Sequence, residues 1–328
     1  MPKIIFMGTP DFAEESLKAL YEAKFDILAV VTNPDRPKGR GMKLVASPVK
    51  EYALSKNIPV LQPERIKHNE EFFKVIKDCD PDYICVVAYG KILPKELLDI
   101  PKKGCINVHG SLLPRYRGAA PIQWAILNGE RQTGITTMYM DTGMDTGDMI
   151  LKEKVDIGKY ETTGELWERL SKIGGRLLVE TIKQIEKGIA PREKQQGIFS
   201  MAPMLSKDMA KIDWDNQNSE RIINLIRGLN PIMGAYTIIN DKKVKIWRAE
   251  LVEENPDFIT DYSKFKPGEI VYANDKIGLF IKTLNGMIKI IELQPENSKH
   301  MSAEDFIRGN KLWKFWKNGC KNCQILIY

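Results

Sequence analysis

The sequence predicts an α/β protein with two domains, and three observations support that prediction. The chain has 328 residues, which is longer than most single domains. Its first half alternates apolar runs with segments of helical periodicity, a pattern that favours a largely parallel, doubly wound sheet of the Rossmann-like type. Its second half contains short β-like runs separated by turn residues, which favours a smaller OB-like β-barrel domain.

The predicted elements of the first half are buried strands separated by helices. The runs KIIFMG, DILAVVT and DYICVVAY are apolar strands, and Asp11 is a plausible N-cap for the helix that follows the first of them. Helical periodicity also covers EEFFKVIKDC. A long helix is predicted over 162–187, ending at Gly188.

A break in the pattern separates the two halves. Residues 189–206 contain two prolines and no periodicity, so we predict a linker there. An amphipathic helix near SERIINLIRGL follows, and then five β-like runs, GAYTII, KVKIWRAEL, GEIVYA, IGLFIKTL and GMIKIIEL. A helix at SAEDFIRG ends the pattern. The predicted organisation is a Rossmann-like domain at 1–188, a linker at 189–206, an OB-like domain at 207–314 and a tail of unknown role at 315–328.

Composition excludes few classes of function. The net charge of +6 permits a polyanionic partner but does not require one. The apolar runs are all much shorter than the roughly 20 residues of a membrane span. A strand-like segment starts almost at the first residue, so we expect no targeting peptide and a cytoplasmic protein.

Five cysteines favour reduced thiols and therefore also the cytoplasm. Cys79, Cys85 and Cys105 lie in strand-like or helix-end contexts. Cys320 and Cys323 form the pair CKNC, which supplies only two of the four ligands that tetrahedral zinc needs. We expect an incidental pair, with metal or redox chemistry as the alternative. No metal is expected.

The segment CINVHGSLLPRYRG at 105–118 is the first candidate for a site. Asn107 and His109 lie two residues apart, so both side chains point to the same face of a strand. Gly110 and Ser111 then interrupt the strand, and Pro114 favours an extended backbone before it. A polar pair at the end of a buried strand is where open α/β sheets form active sites.

Two further segments carry polar side chains into loops. The segment MDTGMDTGDMI at 140–150 contains Asp141, Asp145 and Asp148. The loop NPDRPKGRGMKLVASPVK at 33–50 carries five cations, Arg36, Lys38, Arg40, Lys43 and Lys50. Taken singly, a histidine is usually structural, a repeat of Asp and Gly is usually a turn and a basic loop is usually a solvated surface. Together they indicate a histidine–aspartate pair with an amide donor, which suits acyl transfer.

The motifs resemble those of a known family. INVHGSLLPRYRGAAPIQWAILNGE, followed by DTGMDTGDM, closely resembles the signature of the 10-formyltetrahydrofolate-dependent formyltransferases. The segments FMGTPDFA, NPDRPKGRGMKL, SPVK, VVAYGKILP, LSKDMAKIDW and MSAEDFIRG are similar to the bacterial members that act on methionyl-tRNA. The resemblance extends to about residue 310, and the tail is not part of it.

The resemblance implies a reaction and a set of site residues. Formyl would pass from N10 of 10-formyltetrahydrofolate to the α-amine of initiator methionyl-tRNA, for translation initiation. Asn107 would donate to the oxyanion, His109 would donate or shuttle a proton, and Asp145 would orient His109 and accept the amine proton through water. The expected folate contacts are Val87, Ala88, Tyr89, Gly90, Ile92, Ser111, Leu112, Leu113, Pro114, Met140 and Asp141. The expected tRNA contacts are Arg36, Lys38, Arg40 and Lys43. We also expect the protein to be a monomer.

Other functions stay open at this point. Glycinamide ribonucleotide formyltransferase is similar around the three catalytic positions but has one domain. Sugar-nucleotide formyltransferases and the hydrolase domain of formyltetrahydrofolate dehydrogenase have a related second domain, and the basic loop at 33–50 with the extended match weighs against them. A nucleotide-binding oxidoreductase would need a GxGxxG motif, which GTPDF is not. A purely RNA-binding module would leave the Asn–His–Asp set unexplained.

Overall fold

The computed structural model describes residues 1–38, 43–239, 241–254, 256–259 and 261–310. These residues form two compact units. The first unit comprises Met1–Ile122, Gln132–Asp156 and Leu166–Met204. The second unit comprises Gln123–Arg131, Ile157–Glu165 and the described residues from Leu205 onward. Two short segments of the chain's first half therefore pack with the second unit, whereas the domain boundaries given above remain a prediction from sequence.

The sheet of the first unit has seven strands, and the parallel arrangement predicted for it is confirmed over most of its width. Its strands are β1 (Lys3–Gly8), β2 (Asp26–Val31), β5 (Val60–Leu61), β6 (Tyr83–Val87), β7 (Cys105–His109), β8 (Gln132–Tyr139) and β9 (Met149–Asp156). They lie in the order β5-β2-β1-β6-β7-β8-β9. The first five are parallel, whereas β8 runs antiparallel to β7 and β9 antiparallel to β8. The end of β8 therefore lies beside the start of β7.

Helices lie between these strands along the chain and after the last of them. They are α1 (Asp11–Glu22), α2 (Pro48–Ser55), α3 (Glu70–Asp78), α4 (Lys95–Leu98), α5 (Pro121–Leu127) and α6 (Thr163–Glu186). The predicted long helix before Gly188 is confirmed as α6, and Gly188 has the left-handed backbone typical of a residue just beyond a helix. The predicted N-cap at Asp11 is wrong by one residue, because Pro10 occupies that position in an extended conformation. Asp11 instead accepts from the backbone N–H of Phe12 at 2.8 Å.

The basic segment 33–50 is more regular than a solvated loop. Two short strands, β3 (Arg36–Lys38) and β4 (Lys43–Val45), pair antiparallel and form a hairpin. Arg40 lies outside the described residues. Lys50 lies on α2 and forms an ion pair with Asp35 at 2.7 Å, so its charge is partly neutralised.

The predicted linker at 189–206 has no helix or strand, but it is not a free tether. Met149 and Glu193 exchange two backbone hydrogen bonds, at 2.8 and 2.9 Å. Arg117 donates its backbone N–H to Ser200 at 2.9 Å and accepts from Ala202 at 2.7 Å. The segment is therefore attached to the first unit along both of its halves. The partners are the first residue of β9 and a residue of the loop that follows β7.

The second unit confirms the predicted smaller β domain. Its elements are α7 (Ser219–Gly228), β10 (Ala235–Ile239), β11 (Lys242–Leu251), β12 (Ile270–Asn274), β13 (Gly278–Lys282), β14 (Met287–Pro295), β15 (Met301–Ser302) and α8 (Ala303–Asn310). All strand pairs are antiparallel, in the order β10-β11-β14-β13-β12 with β15 on β14. The predicted amphipathic helix is α7, which buries Ile222, Ile223 and Ile226 in the core of this unit.

Two further observations concern the described part of the chain. No helix there is both long and apolar enough to cross a membrane. Cys85 and Cys105 are buried thiols on neighbouring strands, and burial raises the pKa of Cys105 to about 12. These two cysteines are therefore unreactive parts of the core. Cys320 and Cys323 lie outside the described residues.

Gly134 in β8 provides a test of the antiparallel pairing. A Cβ at this position would lie 2.1 Å from the carbonyl oxygen of Glu153 and 2.6 Å from Leu112 Cδ2. We expect Gly134→Ala to lower the free energy of unfolding by about 1–3 kcal/mol, since neither strand can move freely. Urea unfolding measures it. Gly309→Ala is the control, because a Cβ there meets nothing within 4 Å. Equal destabilisation by both changes would contradict the β8–β9 register.

Candidate active site

Strand β7 supplies the first two polar side chains of the site. It lies between β6 and β8: Asn107 pairs with both neighbours, and His109 pairs with Thr136 of β8. The Oδ1 atom of Asn107 is buried and has no hydrogen-bond partner among the described residues. An acceptor in that condition is costly unless a ligand supplies a donor. It therefore marks this side of β7 as a place where a polar ligand fits.

A backbone carbonyl determines which nitrogen of His109 carries a hydrogen. The Nε2 atom lies 2.8 Å from the carbonyl oxygen of Tyr116. Since a carbonyl oxygen only accepts, Nε2 must be the donor. The Nδ1 atom faces Asp145 Oδ2 at 3.6 Å, which is longer than a hydrogen bond. Tyr116 therefore orients the ring, and Asp145 acts on the other nitrogen as a nearby charge.

Asp145 reaches His109 because its loop folds back. The loop begins at the end of β8, where Met140 donates its backbone N–H to Cys105 at the start of β7. It then returns towards the other end of β7. The Oδ2 atom of Asp145 accepts from the backbone N–H of Gly118 at 2.8 Å. The carboxylate is thus held by the loop that follows His109 in sequence.

The other two aspartates of this loop have structural partners. Asp141 Oδ1 accepts from the backbone N–H of Gly143 at 3.0 Å and from Thr146 Oγ1 at 2.6 Å. Asp148 forms an ion pair with Arg192 at 2.8 Å. The turn interpretation describes Asp141, Asp148 has an ion-pair partner, and Asp145 is the aspartate that faces the histidine.

The backbone of the segment 111–114 is hydrogen-bonded to a threonine side chain of β8. Thr136 Oγ1 donates to the carbonyl oxygen of Ser111 at 2.7 Å and accepts from the backbone N–H of Leu113 at 3.1 Å. Lys152 Nζ donates to the carbonyl oxygen of Leu113 at 2.8 Å. Leu112 is half-buried, and the peptide bond between Leu113 and Pro114 is cis. The backbone of this segment is therefore fixed by side chains of the neighbouring strands.

The segment 87–92 follows β6, next to β7. Val87 is buried, Ala88 and Gly90 have left-handed backbones, and Ile92 is 72% exposed. Tyr89 is buried, which raises its pKa to about 12, and its hydroxyl has no partner among the described residues. This is a second buried polar atom that lacks a hydrogen bond near the ends of β6 and β7.

The remaining expected folate and tRNA positions are less closely defined. Met140 packs against the apolar cluster that contains Tyr89, whereas Asp141 is exposed in its turn. Arg36 is exposed on the hairpin. Burial, and after it the charge of Arg36, lowers the pKa of Lys91 in the segment 87–92. Lys38 and Lys43 pair in the backbone of the same hairpin.

The structure adds residues that the sequence pattern did not single out. They are the carbonyl of Tyr116, the N–H of Gly118 and the side chain of Gln195, which donates to the backbone of the Asp145 loop. Two of the three act through the main chain, which has the same groups in every residue. Within the described residues, no three His, Cys, Asp or Glu side chains gather as a metal site would require.

Comparison with known families identifies two matching models. The family described as formyl transferase matches residues 2–182. The family described as formyl transferase, C-terminal domain, matches residues 204–311. The first match contains Asn107, His109 and Asp145. Together the two matches cover most of the chain.

Relatives named methionyl-tRNA formyltransferase are similar along nearly the whole chain. The protein of Pelotomaculum thermopropionicum is 50% identical over 310 residues, which cover 94% of this chain and 96% of that protein. The protein of Clostridium tetani is 49% identical over 315 residues, covering 96% and 98%. The protein of Clostridioides difficile is 48% identical over 311 residues, covering 94% and 97%.

Solved structures share the fold at lower identity. HypX from Aquifex aeolicus in complex with tetrahydrofolic acid matches with a TM-score of 0.60 and 16% identity. That match covers 94% of this chain and 47% of HypX, so the chain spans about half the length of HypX. WlaRD, a sugar 3N-formyl transferase, matches with a TM-score of 0.62 and 22% identity, covering 91% of this chain and 99% of WlaRD.

Thr136 provides a test of how the segment 111–114 is held. We expect Thr136→Val to lower the free energy of unfolding by about 2 kcal/mol or more, because it leaves a buried carbonyl and a buried N–H without partners. Denaturant unfolding measures it. Thr133→Val is the matched control on the same strand: Thr133 is also buried, and no hydrogen bond of its side chain is found among the described residues. Similar losses in both variants would contradict the bracing role of Thr136.

Proposed function

Because the chain belongs to the formyl transferase family, we propose that it transfers formyl from 10-formyltetrahydrofolate to the α-amine of methionyl-tRNA, making N-formylmethionyl-tRNA for translation initiation. The proposal rests on the likeness to methionyl-tRNA formyltransferases over nearly the whole chain. Such similarity covers both units, including the second, which a single-domain formyltransferase lacks. The site around His109 is chemically suited to this transfer.

Formyl transfer makes three demands on the protein. A neutral amine attacks the formyl carbon, the bond from that carbon to the donor nitrogen breaks, and one proton moves from the amine to the departing nitrogen. The protein must therefore stabilise charge on the formyl oxygen, take the proton from the amine and deliver it to the departing nitrogen. The amide of Asn107 offers both kinds of group: its N–H donates to the oxygen, and its unpartnered Oδ1 accepts from the amine.

His109 and Asp145 divide the remaining demands. With Nε2 bound to Tyr116, only Nδ1 of His109 is free to exchange a proton. The carboxylate of Asp145 at 3.6 Å from that nitrogen stabilises the ring when it carries a positive charge. We therefore assign proton transfer to His109 Nδ1, and to Asp145 the stabilisation of the charged ring and acceptance of the amine proton through water.

The expected folate segments fit a ligand with a polar heteroaromatic ring. The segments 87–92 and 111–114 follow neighbouring parallel strands, so they lie at the same edge of the sheet. The buried hydroxyl of Tyr89 lacks a partner among the described residues, and a pterin carries both donors and acceptors. We assign the formyl donor to these segments together with Met140 and Asp141.

A second candidate function is formylation of an amino sugar on a nucleotide. The neighbour WlaRD carries a name of that kind, but its 22% identity supports the fold alone. A product assay separates the candidates: the protein is incubated with 10-formyltetrahydrofolate and either methionyl-tRNA or an amino-sugar nucleotide. We expect N-formylmethionyl-tRNA. Formylated sugar, or free formate without transfer, would overturn the proposal.

The tRNA would be held by two basic surfaces. One is the hairpin with Arg36, Lys38 and Lys43, to which we also assign Arg40, a residue outside the described part. The other lies on the second unit, where Lys243 and Lys245 lie over the rings of Tyr236 and Trp247. Lysines beside aromatic rings suit phosphate and base contacts without sequence readout. We further propose a cytoplasmic monomer, since translation initiation takes place there.

We expect His109→Ala to reduce kcat at least about a hundredfold, because a positioned acid–base group contributes on that scale. Asn107→Ala should raise the barrier by roughly 3 kcal/mol, as the loss of an oxyanion donor does. Formylation of methionyl-tRNA at saturating folate measures both effects, with circular dichroism as the control for folding. Near-native turnover in a folded variant would contradict the role assigned to that residue.

Lys245→Ala tests the surface of the second unit. We expect a higher KM for methionyl-tRNA and a salt dependence of binding that is lower by about one ion, because one phosphate contact is lost. The KM for folate should not change. Lys172→Ala is the control, since Lys172 already forms an ion pair with Glu168 at 2.9 Å. An equal rise in KM for both variants would contradict the proposal that the surface with Lys245 binds tRNA.

A further inference from the structure

The side chain of Gln195 uses all of its hydrogen-bonding capacity in the first unit. Its Oε1 atom accepts from Arg117 Nη2 at 2.7 Å and from Arg117 Nε at 3.0 Å. Its Nε2 atom donates to the carbonyl oxygens of Asp145 at 2.7 Å and Gly147 at 2.9 Å. A primary amide has two acceptor sites and two donors, so none is left over.

The partners determine which end of the amide points where. The guanidinium of Arg117 can only donate, and the two carbonyl oxygens can only accept. Rotating the amide by half a turn would place two donors together and two acceptors together. Gln195 is therefore locked in one orientation. A carboxylate of the same shape would satisfy Arg117 but would repel both carbonyl oxygens.

The loop that Gln195 holds has a constrained backbone. Asp145 has a left-handed conformation, with φ of +54°. At Gly147 a Cβ would lie 1.7 Å from the carbonyl oxygen of Tyr139, so the chain passes very close to β8 there. Both residues that accept from Gln195 thus lie in a turn that needs outside support to keep its shape.

Gln195 also connects the carboxylate of Asp145 to the group that holds it. Asp145 Oδ2 accepts from the N–H of Gly118, and Arg117 is the residue before Gly118. The side-chain amide of Gln195 therefore bonds to Asp145 itself and to Arg117, the neighbour of Gly118. It holds both loops next to the hydrogen bond that joins them. The segment that carries Gln195 is itself attached on either side, through Glu193 and Ser200, so it is a fixed reference point.

We propose that Gln195 is a positioning residue that holds Asp145 against Gly118 and His109 for formyl transfer. This inference rests on the function proposed above. Gln195 does not touch the reacting atoms. It acts through Asp145, and a displacement of about 1 Å at a reacting group can cost up to a hundredfold in rate.

The first test compares two neighbouring glutamines by steady-state formylation of methionyl-tRNA. In Gln195→Met we expect kcat to fall about tenfold or more, with KM for folate and for tRNA changed less than about threefold. Gln196→Met is the matched control, since Gln196 is exposed, and it should keep the wild-type kcat. Gln195→Glu should lose kcat as Gln195→Met does, although it keeps the contact with Arg117.

The second test separates positioning from a general loss of structure. In an Asp145→Asn background, Gln195→Met should reduce single-turnover rates by less than about twofold, because no carboxylate remains to be positioned. A purely structural defect would reduce the single-turnover rate by the same factor with Asp145 and with Asn at that position. The inference is wrong if either Gln195 variant turns over as the wild type does, or if the loss stays undiminished beside Asp145→Asn.

These outcomes are distinct from failure of the proposed function. If the wild-type protein does not formylate methionyl-tRNA, the function proposed above fails before any variant is compared. If the wild-type protein is active and Gln195→Met equals Gln196→Met, only the positioning role fails. Should Gln195→Met unfold at the assay temperature, Gln195→Glu supplies the same comparison with the Arg117 contact intact.

Discussion

The site depends first on the hydrogen bond from His109 Nε2 to the carbonyl oxygen of Tyr116. That contact leaves Nδ1 as the ring nitrogen available for proton transfer, and it turns that nitrogen towards Asp145. The carbonyl is itself fixed, because Tyr116 has a left-handed backbone and its N–H donates to Ser200 Oγ at 2.9 Å. A main-chain oxygen only accepts, so it determines which ring nitrogen of His109 donates.

The supports of the site come from parts of the chain that are far apart in sequence. The loop after β7 holds Asp145 through Gly118, the segment 193–202 holds both the Tyr116 and Asp145 loops, and Thr136 holds the segment 111–114. Left-handed residues at positions 88, 116 and 145 concentrate around the same region. Such conformations persist only where surrounding contacts determine them, which accounts for the density of hydrogen bonds there.

Much of this arrangement could be predicted from sequence, and the exceptions have a common cause. Apolar runs predicted the central strands, and the spacing of Asn107 and His109 predicted a shared face. The structure shows Asp145 as the aspartate facing His109, whereas Asp141 and Asp148 have turn and ion-pair partners. The pattern did not show the antiparallel direction of β8 or the bracing by 193–202. Long-range pairing and main-chain contacts leave no periodicity in the local sequence, so local patterns could not predict them.

The chemistry of the site does not by itself select the amine. In the roles proposed above, the unpartnered Oδ1 of Asn107 would gain a donor from any primary amine, and the pair of His109 and Asp145 would accept a proton from any of them. A sugar amine and an aminoacyl amine are therefore similar at the reacting atoms. Selection must then come from contacts with the rest of the acceptor, and the described chain offers two basic surfaces for a polyanion: the hairpin with Arg36, and the lysines over Tyr236 and Trp247. The hairpin is joined to the site, because Asn33 at its base donates to the carbonyl oxygen of Tyr89 at 2.8 Å. Recognition of a large acceptor can in this way be coupled to the segment that we assign to the formyl donor.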